Sequence, residues 1–318
     1  MNEFSFIDSI KQKYYKQSSL VKGVGDDAAV FRTSGDLVTA VDTFVEDVHF
    51  SKETMEPIHI GYRLLAANLS DLAAMGAEPA FYMVSIVIPQ KWRSDEVTAL
   101  FDGMKELGNR YRMDLIGGDT VSGSVLTMTS TIFGFTKKDG ARYRSDARPG
   151  DVVFITGTLG DSQAGYHILT QPGGYAHENY FIQRHRLPEP RVAFSRQLHI
   201  PRVALNDISD GIGSEAHEMA VASKVSITLM DESIPTSAGY SQFPAKLQEQ
   251  WKYFGGEDFE LVGTVPPDHW ETVQRAAEQT KTKVTKIGHV SSDDPGSVFV
   301  VKDGTKVKLP PAGYTHLK

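Results

Sequence analysis

The chain has 318 residues, of which 40% are hydrophobic and 23% charged, so it is long enough for two globular domains with their own cores. Lys and Arg total 33 against 40 Asp and Glu, and with this net charge of -7 and no basic run among aromatics we expect no nucleic-acid partner. The lack of cysteine excludes disulfides, thiolate nucleophiles and zinc–thiolate sites, and it favours a reducing, cytoplasmic location.

The first half of the chain alternates strands with helices. Residues 1–17 lack the unbroken apolar core of a signal peptide, and no apolar run is long enough to span a membrane, so we expect no membrane partner. The predicted elements are a strand over 37–41, a helix over 57–75 that Gly76 ends, a strand over 81–88, a helix N-capped by Ser94, and a strand over 125–136. The last strand alternates Thr and Phe with other residues, which predicts pairing on both of its edges.

A polar, turn-rich segment at 144–151 precedes a new apolar strand at 152–155, and we place the domain boundary there. The predicted domains are therefore 1–147 and 148–318. The second half is expected to contain a Gly-, Pro- and His-containing loop at 171–180, helices near 213–224 and 235–250, and strands near Val225, at 259–265 and near Val284.

Acidic residues follow glycines or apolar runs at several points along the chain. Glycine lets backbone approach a ligand, and carboxylate oxygens suit hard cations such as Mg²⁺. Converging carboxylates would repel one another unless divalent metal neutralised them, which points to Mg²⁺ chemistry on a phosphorylated substrate. The blocks are Gly25-Asp26-Asp27, Asp42 after the strand at 37–41, Asn68-Leu69-Ser70-Asp71, Gly117-Gly118-Asp119, Asp207-Ile208-Ser209-Asp210-Gly211 and Gly255-Gly256-Glu257-Asp258.

Each block also has an ordinary structural interpretation. Asp beside Gly is common in turns and helix caps, which covers Asp27, Asp119 and the 207–211 loop, and an exposed helical Asp is common as well. Glu257 and Asp258 are compatible with the start of a strand, a lone His49 is more often structural, and Arg144 is either a phosphate fork or an exposed arginine. The patterns of P-loop enzymes, protein kinases, Gly-x-Ser-x-Gly hydrolases and His-Glu-x-x-His proteases are absent from the sequence.

In order and spacing, the blocks together resemble the thiamine-monophosphate kinase family over nearly the whole chain. The resemblance also includes residues 142–151, which are similar to the interdomain signature of that family. It implies an aminoimidazole ribonucleotide synthetase-like fold with an N-terminal α/β domain that binds ATP and Mg²⁺, and a C-terminal α+β domain that completes the active site. It further implies a homodimer formed through the N-terminal sheets.

The resemblance implies that the γ-phosphoryl group of ATP is transferred to thiamine monophosphate, giving thiamine diphosphate and ADP. It assigns metal ligation to Asp27, Asp42, Asp71, Asp119, Asp207 and Asp210, with Asp71, Asp119 and Asp210 in catalytic roles. Contacts to nucleotide or phosphate fall on Gly118, Asp119, Arg144 and Ser209, and contacts to the thiamine-phosphate side fall on His49, Glu257 and Tyr314. One departure is Ala40-Val41 before Asp42, where relatives often carry Ser-Thr, so no hydroxyl is available at that position.

We expect direct in-line transfer through several Mg²⁺ ions, because the chain offers carboxylates rather than a covalent carrier. The acceptor phosphate, with a second pKa of about 6, needs no strong general base. Two alternatives remain open at this point. One is another ATP-using enzyme of the superfamily that acts on a purine intermediate or on selenide, although the lack of cysteine argues against selenide. The other is a non-catalytic Mg²⁺ or nucleotide sensor.

Overall fold

The computed structural model describes residues 10, 12, 14–24 and 28–313. Its contacts divide the chain into two units, of which the first comprises Met1–Leu72 and Ala77–Ala141. The second comprises Ala73–Gly76 and Arg142–Lys318. The division after Ala141 lies six residues before the boundary that the sequence predicts. In the part of the chain that the structure describes, no helix is long and apolar enough to cross a membrane.

The first unit is a four-stranded mixed sheet with two long helices and a small two-stranded sheet. The four strands lie in the order β3-β6-β4-β5, in which β4 and β5 run parallel and the other pairs antiparallel. The pairing of β6 on both edges confirms the prediction for this strand. The elements are β1 (Leu20–Lys22), β2 (Val30–Phe31), β3 (Asp36–Val45), α1 (Pro57–Ala74), β4 (Glu78–Pro89), α2 (Ser94–Arg110), β5 (Asp114–Gly123) and β6 (Thr127–Thr136).

Helix α1 is more deeply buried than its sequence pattern predicts. The spacing of its apolar residues predicts one stripe facing the core. In the structure, residues 60–74 are all buried except Asp71, so this helix lies in the interior of the unit. It ends at Ala74, and Gly76 follows with φ of 71°, the left-handed conformation expected at this position.

Helices α1 and α2 cross with their backbones in contact at two glycines. A Cβ added to Gly61 would lie 1.7 Å from the Leu100 carbonyl oxygen, and one added to Gly103 would lie 1.9 Å from the Ile58 oxygen. Neither position has room for a side chain. The two glycines therefore set the separation of the helices.

We expect Gly61→Ala to lower the free energy of unfolding by about 1–3 kcal/mol, because the added methyl group forces the helix backbones apart. Gly108→Ala on α2 is the matched control, since a Cβ there would meet Tyr82 at 3.5 Å, an ordinary contact. This control is expected to be neutral or stabilising by up to about 1 kcal/mol, because Ala favours helix over Gly. Urea titration of both variants measures the difference, and equal effects would contradict the crossing argument.

The second unit is a seven-stranded sheet with helices packed against it. Its strand order is β13-β12-β9-β11-β7-β10-β8, and the β9–β12 pair is parallel while the others are antiparallel. The elements are β7 (Val152–Thr156), α3 (Asp161–Thr170), α4 (Glu178–Arg186), α5 (Val192–Gln197), β8 (Ala204–Asp207), α6 (Ile212–Ser223), β9 (Ser226–Met230), α7 (Ala245–Phe254), β10 (Leu261–Val265), α8 (Trp270–Thr280), β11 (Val284–Ser291), β12 (Val298–Lys302) and β13 (Thr305–Leu309).

Several predicted element bounds differ from the structure by one or more residues, and three of the differences have a clear local cause. The helix expected over 235–250 begins only at Ala245, after a short 3-10 turn at Tyr240–Gln242 and Pro244. The strand expected from Phe259 begins at Leu261, because Phe259 has φ of 49° and cannot be extended. Helix α2 includes Ser94, and the residue before it, Arg93, donates its backbone N–H to Glu96 Oε2 at 2.9 Å.

Candidate active site

In the first unit, Asn68 on α1 contacts Asp42, and Asp71 follows it on the same helix. Asn68, which is fully buried on α1, donates its side-chain N–H to Asp42 Oδ2 on β3 at 2.6 Å. Asp71 lies three residues after Asn68, so the two share one side of the helix. Asp71 is also the one residue of segment 60–74 that is not buried. The helix therefore carries a half-buried carboxylate on the side whose Asn68 contacts Asp42.

Two buried polar atoms beside Asp42 have no protein hydrogen-bond partner within the described residues. They are Asn68 Oδ1 and the hydroxyl of Ser130, which is the direct cross-strand neighbour of Asp42 on β6. Buried polar atoms in native proteins are nearly always satisfied, so each such atom requires an explanation. A bound cation or its water shell would supply the missing contacts around Asp42.

Gly118 and Asp119 lie on β5, the sheet edge opposite β3. A Cβ on Gly118 would lie 2.0 Å from the Val84 carbonyl oxygen, so this position requires glycine. The pairing of β5 with β4 is regular from Gly117 through Asp119, after an irregularity at Ile116. Asp119 is exposed, and its Oδ1 accepts the Thr120 N–H at 3.0 Å. Three strand spacings separate β3 from β5, about 14 Å at the usual distance. Asp42 and Asp119 of one chain are therefore too far apart to bind the same ion.

His49 is held by its own turn. Its Nδ1 accepts the Val45 N–H at 3.0 Å, and its ring stacks on Phe44 with a centroid separation of 5.4 Å. Because Nδ1 is an acceptor, the proton of the neutral ring is assigned to Nε2. His49 thus has Nε2–H as a donor.

In the second unit, Asp207 ends edge strand β8 and Asp210 precedes α6. Gly211 between them and the helix has φ of 107°, and a Cβ there would lie 2.8 Å from Phe254 Cα, so the turn requires glycine. The carboxylate of Glu215 in the first turn of α6 closes the loop. It accepts hydrogen bonds from Asn206 Nδ2 at 2.5 Å, from the Asp210 N–H at 3.2 Å and from the Ser209 hydroxyl at 3.4 Å.

Negative charge is concentrated around this loop. Burial, followed by the nearby carboxylates of Asp207, Glu218 and Asp210, raises the pKa of Glu215 to about 9. Arg144 joins the cluster through an ion pair with Glu218, which itself accepts from Asn206 Nδ2 at 3.2 Å. Arg144 therefore does not contact Asp207, Ser209 or Asp210 through these bonds; it contacts Glu218, which is hydrogen-bonded to Asn206 beside Asp207.

Glu257 is attached directly to the Asp207–Asp210 loop. Its N–H donates to the Ser209 carbonyl at 2.7 Å, and the two chain segments continue this pairing between Ile208 and Phe259 at 3.0 Å. Gly256 has φ of 66° and lies so close to Ser209 that a Cβ would be 2.4 Å from its carbonyl oxygen. Gly313 near the C-terminus also packs against the Asp210 carbonyl. Ser209, Asp210 and Glu257 therefore form one compact surface.

The predicted residues Asp27 and Tyr314 lie outside the described residues. Among residues 10, 12, 14–24 and 28–313, no group of three or more His, Asp or Glu side chains is close enough to hold a metal ion. The metal and substrate roles of all the sequence-predicted residues therefore stay predictions. The sequence analysis did not identify Glu215 and Asn206, because their hydrogen-bond partners are determined by the fold. The one signal in the sequence was the position of Glu215, an acidic residue in the first turn of a helix that follows a polar loop.

Comparison with known proteins gives consistent matches along the chain. The family described as AIR synthase related protein, N-terminal domain, matches residues 25–136, and the corresponding C-terminal domain matches residues 148–301. The chain is 44% identical to thiamine-monophosphate kinase of Bacillus subtilis (strain 168), and the alignment covers 100% of both chains.

Two solved structures share both the fold and more than a quarter of the sequence. The thiamine-monophosphate kinase of Stenotrophomonas maltophilia K279a superimposes with a TM-score of 0.84 at 31% identity, covering 96% of this chain and 97% of that one. A structure described as AaThiL complexed with AMPPCP and TMP superimposes with a TM-score of 0.78 at 30% identity, covering 99% and 97%. Both domains of the chain therefore have the AIR synthase-related fold, with mixed α/β structure and one main sheet in each.

Proposed function

Because the chain belongs to the thiamine-monophosphate kinase family of AIR synthase-related proteins, its reaction is the ATP-dependent phosphorylation of thiamine monophosphate, and we propose a direct, Mg²⁺-dependent in-line transfer. The main evidence for this reaction is the 44% identity to the Bacillus subtilis enzyme over the full length of both chains. A relative at 30% identity is described in complex with AMPPCP, an ATP analogue, and TMP, which are the two reactants needed.

The donor set fits Mg²⁺. The proposed ligands Asp27, Asp42, Asp71, Asp119, Asp207 and Asp210 offer oxygen atoms only, which this hard cation prefers. Within the described residues, Asn68 Oδ1 and the Ser130 hydroxyl lack hydrogen-bond partners, which supports a polar ligand beside Asp42. In the second unit, the crowding of carboxylates around Glu215 favours a cation at the loop of Asp207 and Asp210. When bound, Mg²⁺ would neutralise phosphate charge and align the reacting groups.

The chain's own residues would bind and orient the two phosphates. Ser209 and the glycine backbone at Gly118 are suited to phosphate oxygens, and Arg144 is suited to a bidentate phosphate contact if it exchanges its Glu218 partner. His49 Nε2–H and Glu257 are proposed to contact the thiamine-phosphate side, together with Tyr314. The acceptor phosphate is largely ionised near neutral pH, so no residue is assigned as a strong base.

We further propose a homodimer joined through the sheet of residues 1–147, with residues 148–318 completing the active site. The outer face of β3 supports this, because Leu37 and Val41 are 44% and 60% exposed. Asp42 and Asp119 lie on opposite edge strands of that sheet, so a second copy joined at the edges would bring Asp119 of one chain toward Asp42 of the other. We also propose a cytoplasmic location, which the lack of cysteine favours.

The test is to measure ADP release from ATP by the purified protein, with and without thiamine monophosphate, while thiamine diphosphate is quantified by chromatography. We expect one thiamine diphosphate per ADP, and loss of both products when EDTA removes Mg²⁺. Activity that persists in EDTA would overturn the Mg²⁺ requirement. ATP binding without thiamine diphosphate would reject this acceptor and favour another superfamily substrate or a sensor.

A further inference from the structure

The loop that carries Glu257 has an unusual backbone. Glu257 and Phe259 adopt φ values of 59° and 49°, and the preceding Gly256 has φ of 66°. Non-glycine residues in this left-handed region cost about 1–2 kcal/mol each, and such conformations persist only where surrounding contacts enforce them. Contacts from the surrounding structure must therefore hold the loop in this conformation.

Asp258, which lies between them, makes the required contacts. Its side chain is 2% exposed and accepts two backbone hydrogen bonds from the start of α3, from Gly160 N at 2.7 Å to Oδ2 and from Ser162 N at 3.1 Å to Oδ1. A carboxylate at a helix N-terminus is favoured by the unsatisfied N–H groups and the helix dipole. Asp258 thus fixes the loop to a rigid element.

The backbone of Asp258 is held as well. Arg184, on α4, reaches its carbonyl oxygen at 3.3 Å and Glu260 Oε1 at 2.9 Å with the same Nη2. The side chains of Asp258 and Glu260 are both buried, whereas that of Glu257 is half-buried. The chain is therefore anchored inward on both sides of Phe259, while Glu257 stays at the surface formed with Ser209.

We propose that Asp258 is a positioning residue for thiamine monophosphate, acting by holding Glu257 in its left-handed conformation against the Ser209–Asp210 loop. This inference rests on the proposed function, since it takes Glu257 as a contact on the thiamine-phosphate side. The backbone N–H groups at the N-terminus of α3 hold the Asp258 side chain, and Asp258 in turn fixes the backbone of its neighbour Glu257. Asp258 itself is buried beneath the loop, so it acts through Glu257 rather than on the substrate.

The experiment compares steady-state kinetics of the full-length wild type and Asp258→Asn. The amide keeps one acceptor but places a donor against the second backbone N–H, which releases one of the two anchors. We expect the KM for thiamine monophosphate to rise about tenfold, with the KM for ATP and kcat changed by less than about twofold. Arg184→Lys, which loses the reach to the Asp258 carbonyl, should shift the same KM in the same direction by a smaller factor.

Asp151→Asn is the matched control, because Asp151 is also 2% exposed and accepts a backbone N–H, from Arg148 at 2.9 Å, together with the Arg202 guanidinium. The hydrogen-bond partners of its side chain among the described residues are Arg148, Arg202 and Thr264, which lie outside the Glu257 loop, so we expect lower thermal stability and unchanged KM values. Equal rises of both KM values in Asp258→Asn, or a wild-type KM in that variant, would overturn the positioning role. If Asp258→Asn does not fold, Arg184→Lys alone decides it by the same KM ratio. An inactive wild type would instead refute the proposed function.

Discussion

Replacing Asp71 or Asp119 by Asn is expected to lower the turnover of thiamine monophosphate by about 10²- to 10³-fold while leaving the protein folded. Each substitution removes a negative charge where the proposed Mg²⁺ ions bind, and loss of one such preorganised charge interaction typically costs this much in kcat. The fold should tolerate both changes. Asp71 is the one accessible residue of segment 60–74, and an asparagine at 119 keeps the oxygen that accepts the Thr120 N–H.

Asp102→Asn supplies the comparison for this prediction, because Asp102 is an exposed acid on α2 of the same unit and has no proposed role. We expect wild-type turnover from this control. All three variants should show wild-type circular dichroism and free energies of unfolding within about 0.5 kcal/mol of the wild type, as is usual for substitutions outside the core. Normal turnover in the Asp71 or Asp119 variant would remove that residue from the mechanism. A raised Mg²⁺ concentration for half-maximal activity would link the loss to metal binding.

Local patterns predict those parts of the structure that local chemistry determines. The end of α1 just before Gly76 could be predicted because a left-handed residue after a helix favours glycine, and the alternation in β6 correctly predicted a strand paired on both edges. The helix expected over 235–250 was predicted too long, because the apolar spacing continues through a segment that Pro244 and a 3-10 turn interrupt.

The groups that support the site could not be predicted in the same way. Glu215 accepts from Asn206 and Ser209, which lie nine and six positions away in the chain, and Asp258 accepts from Gly160 and Ser162, almost a hundred residues away. Such partners meet only after the strands have paired. In sequence, a buried acid with a distant partner cannot be told from an exposed acid, whereas Asp210, which precedes Gly211, and Asp207 in the same short loop stand out as candidates.

Glu260→Ala is expected to destabilise the second unit by about 3–5 kcal/mol, which is the usual cost of removing one partner from a buried ion pair. Glu260 is fully buried, and its carboxylate accepts from Arg191 at 2.6 Å with both oxygens, from Arg184 at 2.9 Å and from the Thr156 hydroxyl at 2.6 Å. Burial alone would raise the pKa of Glu260, but the two arginines and the hydroxyl lower it below its usual value. Alanine would leave two guanidinium groups buried without this counter-ion.

Glu189→Ala tests whether burial, rather than the presence of an ion pair, sets the size of this effect. Glu189 pairs with the same Arg191 at 3.8 Å but is 68% exposed, so its loss should change stability by no more than about 0.5 kcal/mol. Urea unfolding followed by tryptophan fluorescence suits the comparison, because Trp251 and Trp270 both lie in the second unit. If the two alanine variants lost similar stability, the buried network would contribute no more than an exposed pair. A large loss confined to Glu260→Ala would show that the two arginines depend on this one carboxylate.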